Sequence, residues 1–148
     1  MSKKERKQDV TQSLEARMRD YEDVAKTRLT RRMPVIIRVD GKNFGKLSHE
    51  MRELEAPKNV NGTLGEPPPF SRAFEDCMLI ATARVLPQLQ GCVFAFTQSD
   101  EASFLLLDYA RFETQALFDN YVQKMTSVVA SLMTREFLIA LLDCVSLS

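Results

Sequence analysis

The chain has 148 residues, 45% of them hydrophobic and 27% charged, the make-up of one globular domain; it excludes a collagen-like or low-complexity chain. Twenty basic residues cancel twenty acidic ones, so net charge neither points to nor excludes a polyanionic partner. Cys77, Cys92 and Cys144 are odd in number and lack metal-type spacing, which argues against a disulfide framework or zinc site and for a reducing, cytoplasmic setting.

Residues 1–12 read as a disordered tail. Within it, Met1–Asp9 lacks the apolar centre of a signal peptide. No run reads as long and uncharged enough to cross a membrane; Phe137–Leu142 is too short. The remainder, 13–148, reads as one domain. Leu14, Met18, Tyr21 and Ala25 recur at helical spacing and predict an amphipathic helix over 13–28. Val35–Val39, between Pro34 and Gly41, is β-branched and predicts a strand buried on both faces. Alternation puts Ile36, Arg38 and Asp40 on one side of it. Residues 45–69 are polar, with Gly62, Gly65 and Pro67-Pro68-Pro69, and read as a long loop. Ser71 is a helix cap; Phe74, Cys77, Met78, Ala81 and Val85 form the apolar face behind it, and Pro87 ends that helix. Cys92–Phe96 and Ser103–Leu107, joined by Thr97-Gln98-Ser99-Asp100, predict a β-hairpin. Leu117, Tyr121, Met125, Val128 and Leu132 predict a long helix from about Glu113. The order βαββα is a ferredoxin-like α+β arrangement without its fourth strand.

In such a fold the first strand pairs with the second strand of the hairpin, so Asp40 approaches Asp100. Carboxylates at neighbouring strand ends suit Mg²⁺, which shares its shell with substrate phosphates. Two such ions, bridged by Asp40 and Asp100 with the Gly41 carbonyl beside them, can activate an attacking oxygen and stabilise a leaving one. Glu101 joins them only if the turn breaks strand alternation; otherwise it positions a neighbour. The backbone N–H groups of Gly41, Lys42, Asn43 and Phe44 can cradle a triphosphate, with Lys42 adding charge and Ser99 a hydroxyl. Arg28, Arg31 and Arg32 belong to a basic stretch from Lys26 to Lys46 that can contact RNA phosphates. Asp-Gly and Gln-Ser-Asp-Glu are also ordinary turn compositions; it is their placement at matching strand ends that points to chemistry. His49, the single histidine, sits in the polar loop and reads as exposed.

Arg38-Val39-Asp40-Gly41-Lys42-Asn43-Phe44 followed by Gln98-Ser99-Asp100-Glu101 resembles the tRNA-histidine guanylyltransferase family, most closely its bacterial-type 3′–5′ polymerases. Further blocks are similar in order: Arg17-Met18 through Tyr21-Glu22, Leu29 through Arg38, Gln90 through Phe94, Asp108-Tyr109, and Val122 through Ser131. The resemblance implies a polymerase palm-like domain that adds nucleotides to the 5′ end of tRNA, with tRNA and nucleoside triphosphates (GTP, ATP) as partners and a homo-oligomeric assembly. It implies Mg²⁺ at Asp40, Gly41 and Asp100, an essential Glu101, and triphosphate contacts from Gly41, Lys42, Asn43, Phe44 and Ser99. Two departures stand out. Pro68-Pro69-Phe70-Ser71 replaces a usual lysine–proline pair, and the fourth palm strand and the helical region after it have no counterpart. The palm is therefore expected to be incomplete at its C-terminus. The alternative is a catalytically impaired palm that binds nucleotide or RNA, or pairs with a full-length copy. A nucleotide-cyclase palm ranks last, because its glycine-glycine-acidic hairpin is absent.

Overall fold

A computed structural model describes residues 13–24, 26–59 and 61–146. The 1–12 tail and the face position Ala25 lie outside the described residues. Among the described residues, four α-helices and three strands follow in the order α1 (Leu14–Val24), β1 (Val35–Asp40), α2 (Phe44–Leu54), α3 (Arg72–Val85), β2 (Cys92–Gln98), β3 (Glu101–Leu106) and α4 (Val122–Ser146). The sheet is antiparallel with β3 central, in the order β1-β3-β2. This is the α+β palm-like arrangement that the sequence predicts, with three strands among the described residues.

Helix α3 packs on β2, α4 packs on β1, and the two helices pack on each other. The core between helices and sheet includes Ile37, Phe74, Cys77, Met78, Ala81, Val85, Ala102, Phe104, Leu106, Met125, Val129, Met133, Phe137 and Ala140. Every predicted apolar position of α3 is in it. Ser71 caps α3 by accepting from the Phe74 N–H at 3.1 Å. The Glu55 carboxylate reinforces that cap: it accepts from the Ser71 hydroxyl at 2.7 Å and from the Arg72 and Ala73 N–H groups, each at 3.0 Å. Burial pushes the Glu55 carboxyl up, but the hydrogen bonds from Ser71, Ala73 and Arg72 prevail and hold it below the usual carboxylate range.

The structure corrects five expectations. The stretch 45–69 is not a loop throughout, because α2 occupies Phe44–Leu54 and sets Phe44, Leu47 and Met51 against the core. That i, i+3, i+7 stripe is thin and lies among polar residues, which hid its period. Strand β1 is buried on one face only. Ile37 is buried, whereas Ile36 is 69% exposed, since both core helices cover the same side. Helix α4 begins at Val122 rather than near Glu113. Before it, Phe118, Asp119 and Asn120 adopt left-handed backbone angles (φ 47°, 55°, 56°), which no α-helix accommodates. Helix α1 stops at Val24 and buries none of its residues; Leu14 and Tyr21 are exposed. Finally, Val122–Cys144, with a mean hydropathy of 1.5, is long and apolar enough to cross a membrane. In this fold that helix supplies one wall of the core.

Candidate active site

Asp40 is the last residue of β1 and Glu101 the first of β3, and the ladder pairs them directly. One step further, the Gly41 N–H donates to the Asp100 carbonyl at 3.1 Å. This bond clamps the Asp-Gly corner to the hairpin turn and brings Asp40, Gly41 and Asp100 to one rim. The two-residue turn is sharp: Ser99 is left-handed (φ 54°), and its hydroxyl lies 3.1 Å from Asp100 Oδ1. Beneath the rim opens a cavity of about 300 Å³, lined by Asp40, Gly41, Lys42, Phe44, Asp100 and the apolar side chains of Val39, Met78, Ala130, Met133 and Phe137.

Alternation decides where the carboxylates point. Arg38 and Ile36 are exposed on the face of β1 away from the helices, and Asp40 follows them. Glu101 and Ser103 lie on that same open face of β3, because Ala102 and Phe104 are buried on the other. Arg38 bridges across: Nη1 is 3.3 Å from Glu101 Oε2 and Nε donates to Ser103 Oγ at 3.2 Å. Like charges directly opposite one another are unfavourable, and Arg38 offsets the juxtaposition of Asp40 and Glu101. Glu101 thus shares the open face with Asp40 and is tied there to Arg38. No three acidic, histidine or cysteine side chains converge on one point among the described residues. The donors at the rim are nonetheless all hard oxygens, two carboxylates and a carbonyl, which is the set Mg²⁺ takes when substrate phosphates complete its shell.

The turn after Asp40 is held by an aromatic anchor. Phe44 packs against Phe137 (centroids 4.8 Å apart) and edge-on to Phe74 (5.8 Å). Asn43 takes a left-handed conformation (φ 63°) to start α2 without a side-chain cap bond. The Phe44 N–H is committed to the Gly41 carbonyl at 3.2 Å. Phe44 is thus a structural member of the predicted phosphate cradle rather than a donor.

The predicted RNA-contacting arginines are elsewhere. Arg28 and Arg31 both pair with Asp119, and the Arg32 N–H donates to Asp108 Oδ2 at 2.8 Å. All three precede β1, so the length of a six-residue strand, about 20 Å, separates them from the carboxylate rim. His49 is exposed, 3.8 Å from Glu53. Sequence reasoning missed the helical wall of the cavity and the bridging role of Arg38. The wall was legible as Ala130, Met133, Thr134 and Phe137 at i, i+3, i+4, i+7, and Arg38 as a strand position two before Asp40.

A family model described as tRNAHis guanylyltransferase matches residues 15–146. Among solved structures, a bacterial tRNA(His) guanylyltransferase (Thg1)-like protein in complex with GTP superposes with a TM-score of 0.69 at 30% identity, over 87% of this chain and 54% of that one. A bacterial protein of the same description in complex with ATP gives 0.68 at 29% identity, over 87% and 50%. This chain therefore spans about half the length of these relatives. No curated protein matches it.

Proposed function

The chain belongs to the tRNAHis guanylyltransferase family, and from that premise we propose that it is a Mg²⁺-dependent nucleotidyltransferase that extends the 5′ end of tRNA in the 3′–5′ direction. The observation that carries this reading is the 3.1 Å clamp from Gly41 to Asp100, because it gathers the oxygen donors at one rim above a cavity. Asp40, Asp100 and the Gly41 carbonyl would hold the ions. When bound, two Mg²⁺ ions supply charge neutralisation for the attacking oxygen and the departing pyrophosphate. The N–H groups of Lys42 and Asn43, the Lys42 ammonium and the Ser99 hydroxyl take the triphosphate of the incoming GTP or ATP. Glu101, tethered by Arg38, keeps negative charge beside the rim.

The RNA end has a natural bed on the open face of the sheet. There Phe94 and Phe96 of β2 are 57% and 53% exposed, and Phe96 lies opposite Ser103, one strand from Arg38. Exposed aromatics on a sheet stack nucleobases. A cytoplasmic setting and assembly into homo-oligomers complete the reading.

Incubation with labelled nucleoside triphosphate, Mg²⁺ and a 5′-truncated tRNA tests it. Extension is expected, and Asp40→Ala is expected to reduce it by about 100-fold or more. No extension, with Asp40→Ala indistinguishable from the parent, overturns the catalytic reading. A second reading, a palm that binds nucleotide or RNA without turnover, is favoured by the absence, among the described residues, of three converging metal-ligating side chains. Calorimetric binding of triphosphate or tRNA without extension would select it.

A further inference from the structure

Two of the three cysteines meet across the main helix–helix contact of the fold. Cys77 of α3 is fully buried, and its Sγ is 3.5 Å from the Sγ of Cys144 in the last turns of α4. Cys144 is half-buried and faces the surface more than its neighbour does. A second link joins the same helices nearby: Arg84 Nη2 is 3.5 Å from Asp143 Oδ2. Cys92 is on β2, its Sγ 3.5 Å from the Phe94 carbonyl oxygen.

We propose that Cys77 and Cys144 are a modification site, oxidised by a hydroperoxide to an intramolecular disulfide that staples α4 to α3. The Cys144 thiolate attacks one peroxide oxygen, the O–O bond breaks, and Cys144 becomes a sulfenic acid while hydroxide or alkoxide leaves. The Cys77 sulfur then attacks the Cys144 sulfur, the S–O bond breaks, and the Cys77 proton leaves with the departing oxygen as water. Two thiols have lost two electrons and the peroxide has gained them. The division of labour follows from exposure. The oxidant reaches Cys144, whereas Cys77 stays protonated until the second step, because burial and the adjacent Cys144 push its thiol up to about 12. Closure requires the sulfurs to approach by about 1.5 Å. The bond closes a loop of about 70 residues that includes the whole hairpin, and long loops gain most from closure.

The experiment treats the folded chain with hydrogen peroxide, quenches with catalase, alkylates in denaturant and measures intact and peptide masses. The expected product has lost the mass of two hydrogen atoms, contains one linked 77–144 peptide pair and retains one alkylatable thiol, Cys92. It unfolds at a higher urea concentration than the reduced chain, and amide exchange slows over 140–146. Cys92→Ser is expected to form the same link, and Cys144→Ser to form none while leaving Cys77 reduced. Sulfinic acid at Cys144 with Cys77 free, a link through Cys92, unchanged mass, or an unchanged or lower urea midpoint would each overturn the proposal. The readout on the unaltered chain stands even if a variant does not fold, and none of it depends on the tRNA reading.

Discussion

At Gly41 an added Cβ would lie 2.3 and 2.4 Å from ring carbons of Phe44, closer than atoms can pack. The glycine is required by contact rather than by a left-handed backbone. Gly41→Ala is expected to dislodge Phe44 from Phe74 and Phe137, lower stability by about 1–3 kcal/mol and weaken triphosphate binding. Gly45, four residues on, has nothing within 4 Å of the equivalent position. Gly45→Ala, inside α2, is expected to raise stability by up to about 1 kcal/mol. Urea denaturation of the pair checks both; equal effects would refute the contact argument. The sequence shows a glycine after a carboxylate, which suits an accessible carbonyl or a plain turn. It does not show the ring beneath, because that depends on where α2 starts and how Phe44 rotates.

Helix α2 marks the limit of periodicity as a guide. Three inward residues among seven polar or small ones, with an exposed Leu54 off the stripe, leave a weak signal, and the element is stabilised from outside itself, by the anchor at its start and by Glu55 at its end. The hydrogen bonds to Glu55 are made to the ionised carboxylate, so the folded state holds its pKa below the ordinary 4.5. The stabilisation is therefore complete above that value and is lost as pH falls through the depressed folded value. Glu55→Gln is expected to cost about 1–2 kcal/mol at pH 7 and to flatten the acid limb of the stability–pH curve below about pH 4.5. Thermal melts between pH 3 and 7 measure it; a variant whose acid limb matches the parent's would contradict the assignment. By contrast α3 was legible in full. Its apolar stripe is dense, and Ser71 and Pro87 bracket it with unambiguous chemistry.

At the scale of the molecule, both core helices cover one side of the sheet, and Ile36, Phe94 and Phe96 stand exposed on the other. That asymmetry could not be read from β1, because Val35–Val39 is as apolar as a strand buried twice over; only the partners of its two faces distinguish the cases. It also divides the molecule lengthwise, with carboxylates at one end of the strands and the paired arginines at the other. Sequence proximity within the basic stretch concealed this, since β1 itself separates Arg28, Arg31 and Arg32 from Asp40. If RNA lies on the open face, Phe96→Ala should weaken tRNA binding roughly 5- to 100-fold with little change for free triphosphate. Arg31→Ala, at the far end, should leave extension near parent levels. Filter binding and single-turnover extension separate the two; loss of triphosphate affinity in Phe96→Ala would point to a misfolded hairpin instead.

The carboxylate of Glu55 has a consequence for how this chain can change over generations. It fastens the segment that follows α2 to the start of α3, so both ends of residues 56–70 are fixed independently of what lies between. The far tip is a tight bend, with Asn59 N–H donating to Thr63 O at 2.8 Å and Gly62 at φ 77°. Doubling such a segment costs only about 0.6 kcal/mol in closure entropy. Insertions, deletions or a grafted reporter peptide near Gly62 should therefore be accommodated like a new pendant on an old chain, with the carboxylate rim none the wiser.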